Sequence, residues 1–526
     1  MKAKIWVISW LIVVVSALGV SGYWVYKVDP FFHYHKPDLE NYYYILDNQR
    51  SQNDGIVKHF NYDALITGTS MTENFKTTEA DRLFGFHSIK VTYSGGSYEE
   101  INKIVETALK ANPDLRTIIR GLDMGSFLSA KKSIKLKAGK YPEYLYDSNP
   151  FNDVEYLFNR DVLFGRVYQM TIDNDKEDFK AGIRSFDDYS RWQEAYIFGI
   201  NTFLPGGIID EEKEQSHLTE SEERTIKENI TLYVTDVADK YPDVDFYYFY
   251  PPYSAVDWYF WKADGVLYKM MEAESFVTEL IVPHKNIKLF SFNARTDITT
   301  DLNNYKDGAH YGCWINSLIL KWMHDGKYQL TEYNFEEILK QEHDFYTTFD
   351  YNRLNGQEDY ESDFYAAALL NEELTGAKPL DILNDDKIEI SVNEAQYRID
   401  DNGTITIDCY GSSAKDCETD VPSEYIKSNE NIGIRFNADL DEGYNYLCFK
   451  GQKNTDHGQL TVYVYDSDGR VVGQLEEYSD IDNEKHQYVL DLSDVSGDVM
   501  VVLNGGYTDC TESPDSNYRF SEIYMY

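Results

Sequence analysis

The stretch Tyr62–Ser70, YDALITGTS, decides the fold of the first half of the chain. Its apolar part, Tyr62–Thr67, predicts a short buried strand, and Gly68-Thr69-Ser70 predicts a turn at the carboxyl end of that strand. Helix and strand patterns alternate outward from it. Helices are predicted at 73–84 and 97–111, and strands at 87–92 and 116–122. Such alternation is typical of an α/β fold, with a parallel sheet and helices on both faces.

The same alternation continues after an interruption. Residues 125–215 are rich in Tyr, Phe, Asp and Asn, and they predict an insertion that covers or shapes a site. Residues 219–241 predict an amphipathic helix opened by a Thr-x-x-Glu cap. Further strands are predicted at 245–250 and 287–290, and further helices up to about 282 and at 312–326. These elements predict one α/β domain over residues 31–330, whose first part, 31–60, is expected to be a helical juxtamembrane segment.

The last part of the chain has a different pattern. From about residue 386, short alternating runs are separated by Gly, Asp and Asn, as in 446–451 (YLCFKG) and 460–470 (LTVYVYDSDGR). This spacing predicts an all-β sandwich over residues 386–526. The acidic, partly helical residues 331–385 are predicted to be a connector.

The N-terminus predicts a membrane segment over residues 1–30. Lys2 and Lys4 precede an uncharged run from Ile5 to Tyr26. At about 1.5 Å per residue, this run is long enough to cross a bilayer core. The preceding lysines predict that the N-terminus lies inside and the body outside the cytoplasmic membrane. A cleaved signal peptide is the alternative, with Ala17-Leu18-Gly19 as the cleavage region, and it would release the body as a secreted protein.

The composition argues against several classes of function. The formal net charge of the 526 residues is -41, which argues against nucleic acid as a partner, because phosphate binding needs a basic surface. The five cysteines contain no C-x-x-C pair, and no H-E-x-x-H, P-loop or G-x-G-x-x-G motif is present. We therefore predict neither a metal nor a cofactor.

Two short motifs predict serine chemistry. Ser70 lies at a strand end before a helix, so its hydroxyl is expected to be exposed and its N–H to point toward a developing oxyanion. Asp307-Gly308-Ala309-His310 offers a base for the serine proton, with a carboxylate three residues away to orient the imidazole. Taken singly, each motif has a plainer interpretation. Ser70 could be a helix N-cap, and Asp307 and His310 could be ordinary loop residues.

Together, a strand-end G-x-S near the start of an α/β domain and a D-x-x-H near its end resemble the SGNH (GDSL-like) hydrolase superfamily. The resemblance covers residues 60–325. It implies a three-layer, flavodoxin-like α/β domain. It also implies a catalytic triad, in which Ser70 is the nucleophile, His310 the general base and Asp307 its orienting partner. The activity implied is that of a serine-dependent carboxylic ester hydrolase or acyltransferase.

The resemblance also implies further site residues. The superfamily places an oxyanion glycine after the second strand, where this chain has Gly95 and Gly96, and the Ser70 N–H is the other expected donor. Its third block carries an Asn where this chain has Asp123. Asp123 is therefore predicted to contact a hydroxyl or amine of the substrate. Tyr253, in the stretch YPPYS at 250–254, is the other predicted substrate contact.

The layout resembles one branch of the superfamily in particular. Its members are membrane-anchored and modify cell-surface polymers, as do proteins of lipoteichoic acid D-alanylation and of alginate O-acetylation. The tail resembles galactose-binding-like jelly rolls, which often bind carbohydrate. These resemblances imply acyl chemistry on a cell-surface or extracellular glycan, with a multi-span membrane partner to deliver the acyl donor. A membrane-anchored glycan-binding or envelope-assembly protein without turnover is the alternative.

Overall fold

A computed structural model describes much of the chain, and the chain divides into two compact units, Met1–Asp359 and Tyr360–Tyr526. The described residues are 2–128, 141–173, 179–189, 196–199, 204, 206–211, 213–357, 380–383, 391–393, 395–399, 405–410, 433–453, 458–477, 485–493, 495–507 and 517–526.

The first unit is built on a six-stranded sheet in the order β3-β2-β4-β6-β7-β8. Its strands are β2 (Ala64–Gly68), β3 (Ser88–Thr92), β4 (Thr117–Gly121), β6 (Asp245–Tyr250), β7 (Ile287–Ser291) and β8 (Gln329–Leu330). The first five are parallel to their neighbours, and β8 is antiparallel to β7. Every residue of β2 and β3 is buried, as expected for strands covered on both faces. The short strands β1 (Tyr43–Tyr44) and β5 (Gly182–Ile183) form a separate parallel pair.

The helices connect these strands in chain order. The helices of the first unit are α1 (Lys2–Val28), α2 (Gln49–His59), α3 (Thr77–Phe84), α4 (Tyr98–Ala111), α5 (Val154–Leu157), α6 (Arg160–Val162), α7 (Tyr168–Asp173), α8 (Glu220–Ile230), α9 (Asp236–Lys240), α10 (Ala255–Asp264), α11 (Leu267–Ile281), α12 (Thr296–Thr299), α13 (Cys313–His324) and α14 (Phe335–Thr348). A π-helical turn, Thr231–Thr235, joins α8 to α9. The predicted Thr-x-x-Glu cap is present at the start of α8, where Thr219 and Glu222 form a reciprocal capping box.

Helices cover both faces of the sheet. The chain moves from β2 outward to β3 through α3, and then back across β2 to β4 through α4. Because such crossovers are right-handed, α3 and α4 lie on opposite faces. Their neighbours agree: α13 packs against α3, whereas α2 packs against α4, and α11 packs against α8 and α14. The carboxyl ends of β2 and β4 meet where the direction of the connections reverses, the usual place for a ligand in such sheets.

The long apolar helix α1 emerges from the body. Its side chains are almost all exposed from Ala3 to Val20, and it is the only helix of the described part of the chain that is long and apolar enough to cross a membrane. Its C-terminal end packs against α5 and the π-helical turn Leu163–Val167. Trp24 Nε1 donates to Thr171 Oγ1 of α7 at 3.1 Å.

The second unit consists of two antiparallel sheets. One has the order β10 (Ser391–Asn393), β13 (Gly433–Asp439), β18 (Asp498–Tyr507), β15 (Gly458–Asp466), β16 (Val471–Glu477). The other has the order β11 (Ala395–Ile399), β12 (Ile405–Tyr410), β19 (Asn517–Met525), β14 (Tyr446–Lys453), β17 (Lys485–Asp491), and β9 (Leu380–Asp381) pairs with β19. Side chains of both sheets form one core, including Phe436 and Val501 from the first and Phe449 and Phe520 from the second. The predicted jelly-roll connectivity and the boundaries at residues 330 and 385 stay predictions.

Two predicted helices are wrong in extent. Within 31–60, only Gln49–His59 is helical. At the start of this segment, the Asp29 carboxylate accepts the backbone N–H groups of His33, Tyr34 and His35 in a tight turn. Strand β1 (Tyr43–Tyr44) then lies between this turn and the helix. The helix predicted from residue 73 begins at Thr77 instead. The buried Lys90 ammonium donates hydrogen bonds to the carbonyl oxygens of residues 73 and 75, just before this helix, so those groups are not part of it.

Candidate functional site

The turn after β2 presents Ser70 at the sheet edge. Gly68 has a φ of +145°, and a Cβ there would lie 2.8 Å from the Thr72 side chain, so glycine is required. Thr69 is the N-cap of the 3₁₀-helix Ser70–Thr72. The hydroxyl of Ser70 is partly exposed, and its N–H lies at the start of this helix. The local fold thus gives the serine the position that the sequence predicts.

Three side chains hold the backbone that follows Ser70. Tyr311 Oη and Asn316 Nδ2 each donate to the carbonyl oxygen of Met71 at 3.1 Å. Lys90 Nζ donates to the carbonyl oxygens of residues 73 and 75 at 2.5 and 2.6 Å. Lys90 is fully enclosed, and burial lowers the pKa of its ammonium to about 8. No motif in the sequence marks these residues, although a lysine within a short strand flanked by apolar residues is a signal that could have indicated Lys90.

Ser70, His310 and Asp307 come together in one hydrogen-bonded chain. Ser70 Oγ lies 2.8 Å from Nε2 of His310. The other ring nitrogen, Nδ1, lies 2.9 Å from both carboxylate oxygens of Asp307. The serine and the aspartate are 237 positions apart in the chain, counted from their residue numbers, so the fold alone creates this contact.

The Asp307–His310 loop is fixed by its own hydrogen bonds. Oδ1 of Asp307 accepts the backbone N–H groups of Ala309 and His310 at 3.0 and 2.9 Å. Ser254 Oγ donates to the carbonyl oxygen of Gly308. Burial alone would raise the pKa of Asp307, but the hydrogen bond and positive charge of His310 and the two N–H groups outweigh it and lower the pKa to about 2. Asp307 is therefore ionised at neutral pH.

A second carboxylate, Asp257 on α10, lies beside this loop. A Cβ on Gly308 would lie 3.5 Å from Oδ1 of Asp257. Removal from water and the negative charge of Asp307 raise the pKa of Asp257 to about 7. Asp257 could not be predicted from the sequence, because no motif surrounds it and only the fold brings α10 to the loop.

Asp123 lies at the carboxyl end of β4, next to the Ser70 turn. Its Oδ2 accepts a hydrogen bond from Thr69 Oγ1 at 2.8 Å, and its Oδ1 accepts one from Tyr253 Oη at 3.0 Å. Removal from water raises the pKa of Asp123. Tyr253 is 6% exposed, and its hydroxyl donates to Asp123. Of these two predicted substrate contacts, only the residue Asp123 is half-buried instead of buried.

The two predicted oxyanion glycines differ in their hydrogen bonds. The Gly96 N–H donates to the carbonyl oxygen of Tyr93 at 2.7 Å, and a Cβ there would lie 2.7 Å from the Tyr93 side chain. Gly95 is exposed and has a φ of +62°. Within the described residues, neither its N–H nor that of Ser70 has an acceptor, so these two amides are the available donors.

A polar cavity of about 530 Å³ lies along the same edge. It is lined by Gln49, Arg50, Glu73, Ser94 and Tyr189, among others. Gln49 joins its walls, since its amide nitrogen donates to Glu73 at 2.7 Å and its carbonyl oxygen accepts the Ser94 N–H at 2.6 Å. No pattern in the sequence predicts this cavity.

Comparisons with known proteins leave the family open. No family model matches the chain, and no curated protein matches it. Among solved structures, a putative platelet activating factor from Streptococcus pneumonia is 11% identical, with a TM-score of 0.28, over 52% of this chain and 89% of that chain. A family two carbohydrate esterase from Cellvibrio japonicus is 10% identical, with a TM-score of 0.17, over 28% of this chain and 32% of that chain. A carbohydrate-binding module from Clostridium stercorarium, solved in complex with cellobiose, is 12% identical, with a TM-score of 0.17, over 28% and 90%. Likenesses of this size carry no argument about function.

Proposed function

We propose that the chain is a serine-dependent acyl esterase or O-acyltransferase that acts on a glycan outside the cytoplasmic membrane. The observation that carries the proposal is the chain of contacts from Ser70 Oγ through both nitrogens of His310 to Asp307. A nucleophile, a base within hydrogen-bond reach and a carboxylate on the far ring nitrogen are the three groups that acyl transfer needs.

In the proposed reaction, Ser70 Oγ attacks the ester carbonyl and gives its proton to Nε2 of His310. Asp307 accepts the Nδ1 proton in a hydrogen bond and stabilises the imidazolium. The N–H groups of Ser70 and Gly95 bind the oxyanion. His310 then protonates the departing alcohol, which leaves an acyl group on Ser70. Water attacks the acyl group in hydrolysis, and a sugar hydroxyl attacks it in transfer. In both cases His310 takes the proton of the attacking hydroxyl and then returns it to Ser70 Oγ as the bond between Ser70 and the acyl group breaks.

Polar groups around Ser70 support a hydroxyl-rich substrate. Asp123 offers a carboxylate beside the serine turn, and the cavity lined by Gln49, Glu73 and Ser94 is mostly polar along the same edge. Such groups suit the hydroxyls of a sugar better than an apolar acyl chain. The apolar helix α1 is compatible with a membrane anchor or a signal peptide. With an uncleaved anchor, we propose that a multi-span partner delivers the acyl donor.

One observation favours a second candidate, a glycan-binding or assembly protein without turnover. Asp123 occupies the position where the resembled superfamily has an Asn that donates to the oxyanion. An ionised carboxylate cannot donate, and its negative charge opposes an oxyanion nearby. Under this second candidate, Ser70 and His310 are a hydrogen-bonded pair that holds the loop of residues 307–310 to the sheet.

Covalent labelling separates the two candidates. The full chain, purified in detergent, is treated with a fluorophosphonate probe and its intact mass is measured. An activated serine takes one adduct, which is absent in Ser70→Ala and formed much more slowly in His310→Ala. Ser221→Ala is the control, since Ser221 is an exposed serine on α8 outside the proposed site, and it keeps the adduct. If the folded parent chain forms no adduct, the proposal of an enzyme is refuted and the glycan-binding candidate is favoured.

A further inference from the structure

Three metal-ligating side chains meet in the interior of the first unit, outside the Ser70 site. Glu274 lies on α11, and Glu342 and His343 are consecutive on α14. One ligand atom from each lies within 4.8 Å of the other two. Glu274 is 0% exposed and Glu342 is 1% exposed, so both carboxylates are removed from water. Glu274 already pairs with the His343 imidazole, and the two carboxyl groups lie within hydrogen-bond reach of each other. The pair of carboxyl groups therefore needs a cation or a shared proton between them.

The hydrogen bonds of the cluster leave one carboxylate oxygen without a donor. Ser291 Oγ donates to Oε2 of Glu342 at 3.0 Å, and Asn293 Nδ2 lies 3.5 Å from Oε1 of Glu274. Oε1 of Glu342 is buried and has no hydrogen-bond partner in the part of the chain that the structure describes. Buried carboxylate oxygens are normally paired, so this oxygen requires a cation or a proton as partner.

One of the three ligand-atom distances matches that between adjacent ligands of one metal ion. Oε2 of Glu274 lies 3.0 Å from Nε2 of His343. Adjacent ligands of an octahedral ion with bonds of about 2.1 Å are about 3.0 Å apart. Ser291 and Asn293 donate hydrogen bonds to the other carboxylate oxygens, Oε2 of Glu342 and Oε1 of Glu274. Residues that orient metal-ligating carboxylates make such hydrogen bonds.

A cavity of about 670 Å³ gives access to the cluster, and His343 is part of its lining. The cavity is also lined by four glutamates, Glu272, Glu279, Glu332 and Glu336. Three of these four side chains are exposed, so the cavity opens to solvent. Negative charge along such an opening concentrates cations and repels anions.

We propose that Glu274, Glu342 and His343 bind one divalent transition-metal ion, such as Zn²⁺ or Mn²⁺. An imidazole with two carboxylates is a donor set that these ions accept, whereas Ca²⁺ and Mg²⁺ prefer oxygen ligands alone. The ion neutralises the buried carboxylates and ties α14 to α11, and water from the cavity completes its coordination. This proposal is independent of the chemistry proposed for Ser70.

Metal binding by the full chain tests the site. The chain is purified in detergent, stripped with a chelator, and titrated calorimetrically with Zn²⁺, Mn²⁺ and Ca²⁺. We expect one equivalent of Zn²⁺ or Mn²⁺, weaker binding of Ca²⁺, and a higher melting temperature with the bound ion. Glu342→Gln keeps the side-chain size and is expected to weaken binding tenfold or more. Glu223→Gln, exposed on α8 and not part of the cavity lining, is the control and is expected to bind within about twofold of the parent chain.

Two results would overturn the proposal. The stripped parent chain could bind none of the ions, or Glu342→Gln could bind as tightly as the parent. A parent chain without metal binding and a higher melting temperature in Glu342→Gln would assign a shared proton to the cluster instead. If Glu342→Gln does not fold, His343→Ala replaces it, because that side chain is partly exposed, with the same tenfold loss expected.

Discussion

Replacing Asp307 by asparagine tests the orientation of His310 with a minimal change in size. Oδ1 of Asp307 is held by the backbone N–H groups of Ala309 and His310, so the asparagine oxygen is expected to occupy that position. The amide nitrogen then takes the place of Oδ2, 2.9 Å from Nδ1 of His310. Oδ1 also lies 2.9 Å from Nδ1, but it already accepts two backbone N–H groups. We therefore expect the amide donor to prevail at Nδ1 and to favour the tautomer with its proton on Nε2, which cannot accept the Ser70 proton.

Two contributions set the expected magnitude. The fall of the Asp307 pKa from 3.8 to about 2 corresponds to roughly 2 kcal/mol. Because the side chain is 41% exposed, solvent screening reduces the charge contribution to about 1 kcal/mol, or about fivefold in rate. The wrong tautomer accounts for a much larger loss, on the order of 10³-fold or more. We therefore expect Asp307→Asn to lower the labelling rate by about 10³-fold to 10⁴-fold.

The assay is the second-order rate of fluorophosphonate labelling, measured on the full chain at neutral pH. Asp257→Asn is the matched control, since it removes a carboxyl group beside the same loop without touching the imidazole, and we expect a change of less than about fivefold. A labelling rate in Asp307→Asn within about threefold of the parent would refute the reasoning. A large loss in Asp257→Asn instead would assign the orienting role to that residue.

Three further perturbations follow from the site. Lys90→Met leaves two buried carbonyl groups without a donor, and we expect it to lower the free energy of unfolding by about 2–3 kcal/mol. Lys110→Met, on the surface, is expected to change it by less than about 0.5 kcal/mol. Equal effects in thermal unfolding would contradict the role of Lys90 in holding the backbone after Ser70. The raised pKa of Asp257 means that the folded chain keeps a proton which the unfolded chain loses near pH 3.8, so stability falls as the pH rises toward 7. Asp257→Asn should therefore raise the melting temperature at pH 8 and leave it unchanged near pH 3, and the opposite pattern would disprove the assignment. Gly68→Ala is expected to lower the free energy of unfolding by about 1–3 kcal/mol and to slow labelling at least tenfold. Gly125→Ala, with open space around its Cβ, is expected to change neither quantity. A Gly68→Ala variant with unchanged stability and labelling would show that the turn tolerates a side chain.

The repeating α/β pattern was predictable because it is local. The buried strands 64–68, 88–92 and 245–250 are short apolar runs, and each lies within a residue or two of its predicted bounds. The capping box at Thr219 could also be predicted, since it depends on residues three positions apart. The edge strand Gln329–Leu330 could not, because two residues carry no periodicity and only pairing with β7 defines them.

The candidate site was predictable where a motif marks it and not elsewhere. Ser70 and the loop of Asp307 and His310 follow recognisable strand ends, and their meeting in space agrees with the sequence pattern. Lys90 and Asp257 act across the fold, from a strand and a helix that no local signal connects to the serine turn. Long-range contacts of this kind depend on the strand order, which the sequence pattern leaves undetermined.

The joint between α1 and the body affects where the protein can work. Val25 and Val28 are completely buried, and Trp24 bonds to Thr171, so the last turns of α1 are part of the folded unit. If α1 spans a bilayer, this rigid connection would hold the folded body at a fixed distance from the membrane, whereas a flexible linker would let that distance vary. Under the proposed function, Ser70 would then reach a substrate only within a narrow range of distances from the membrane surface.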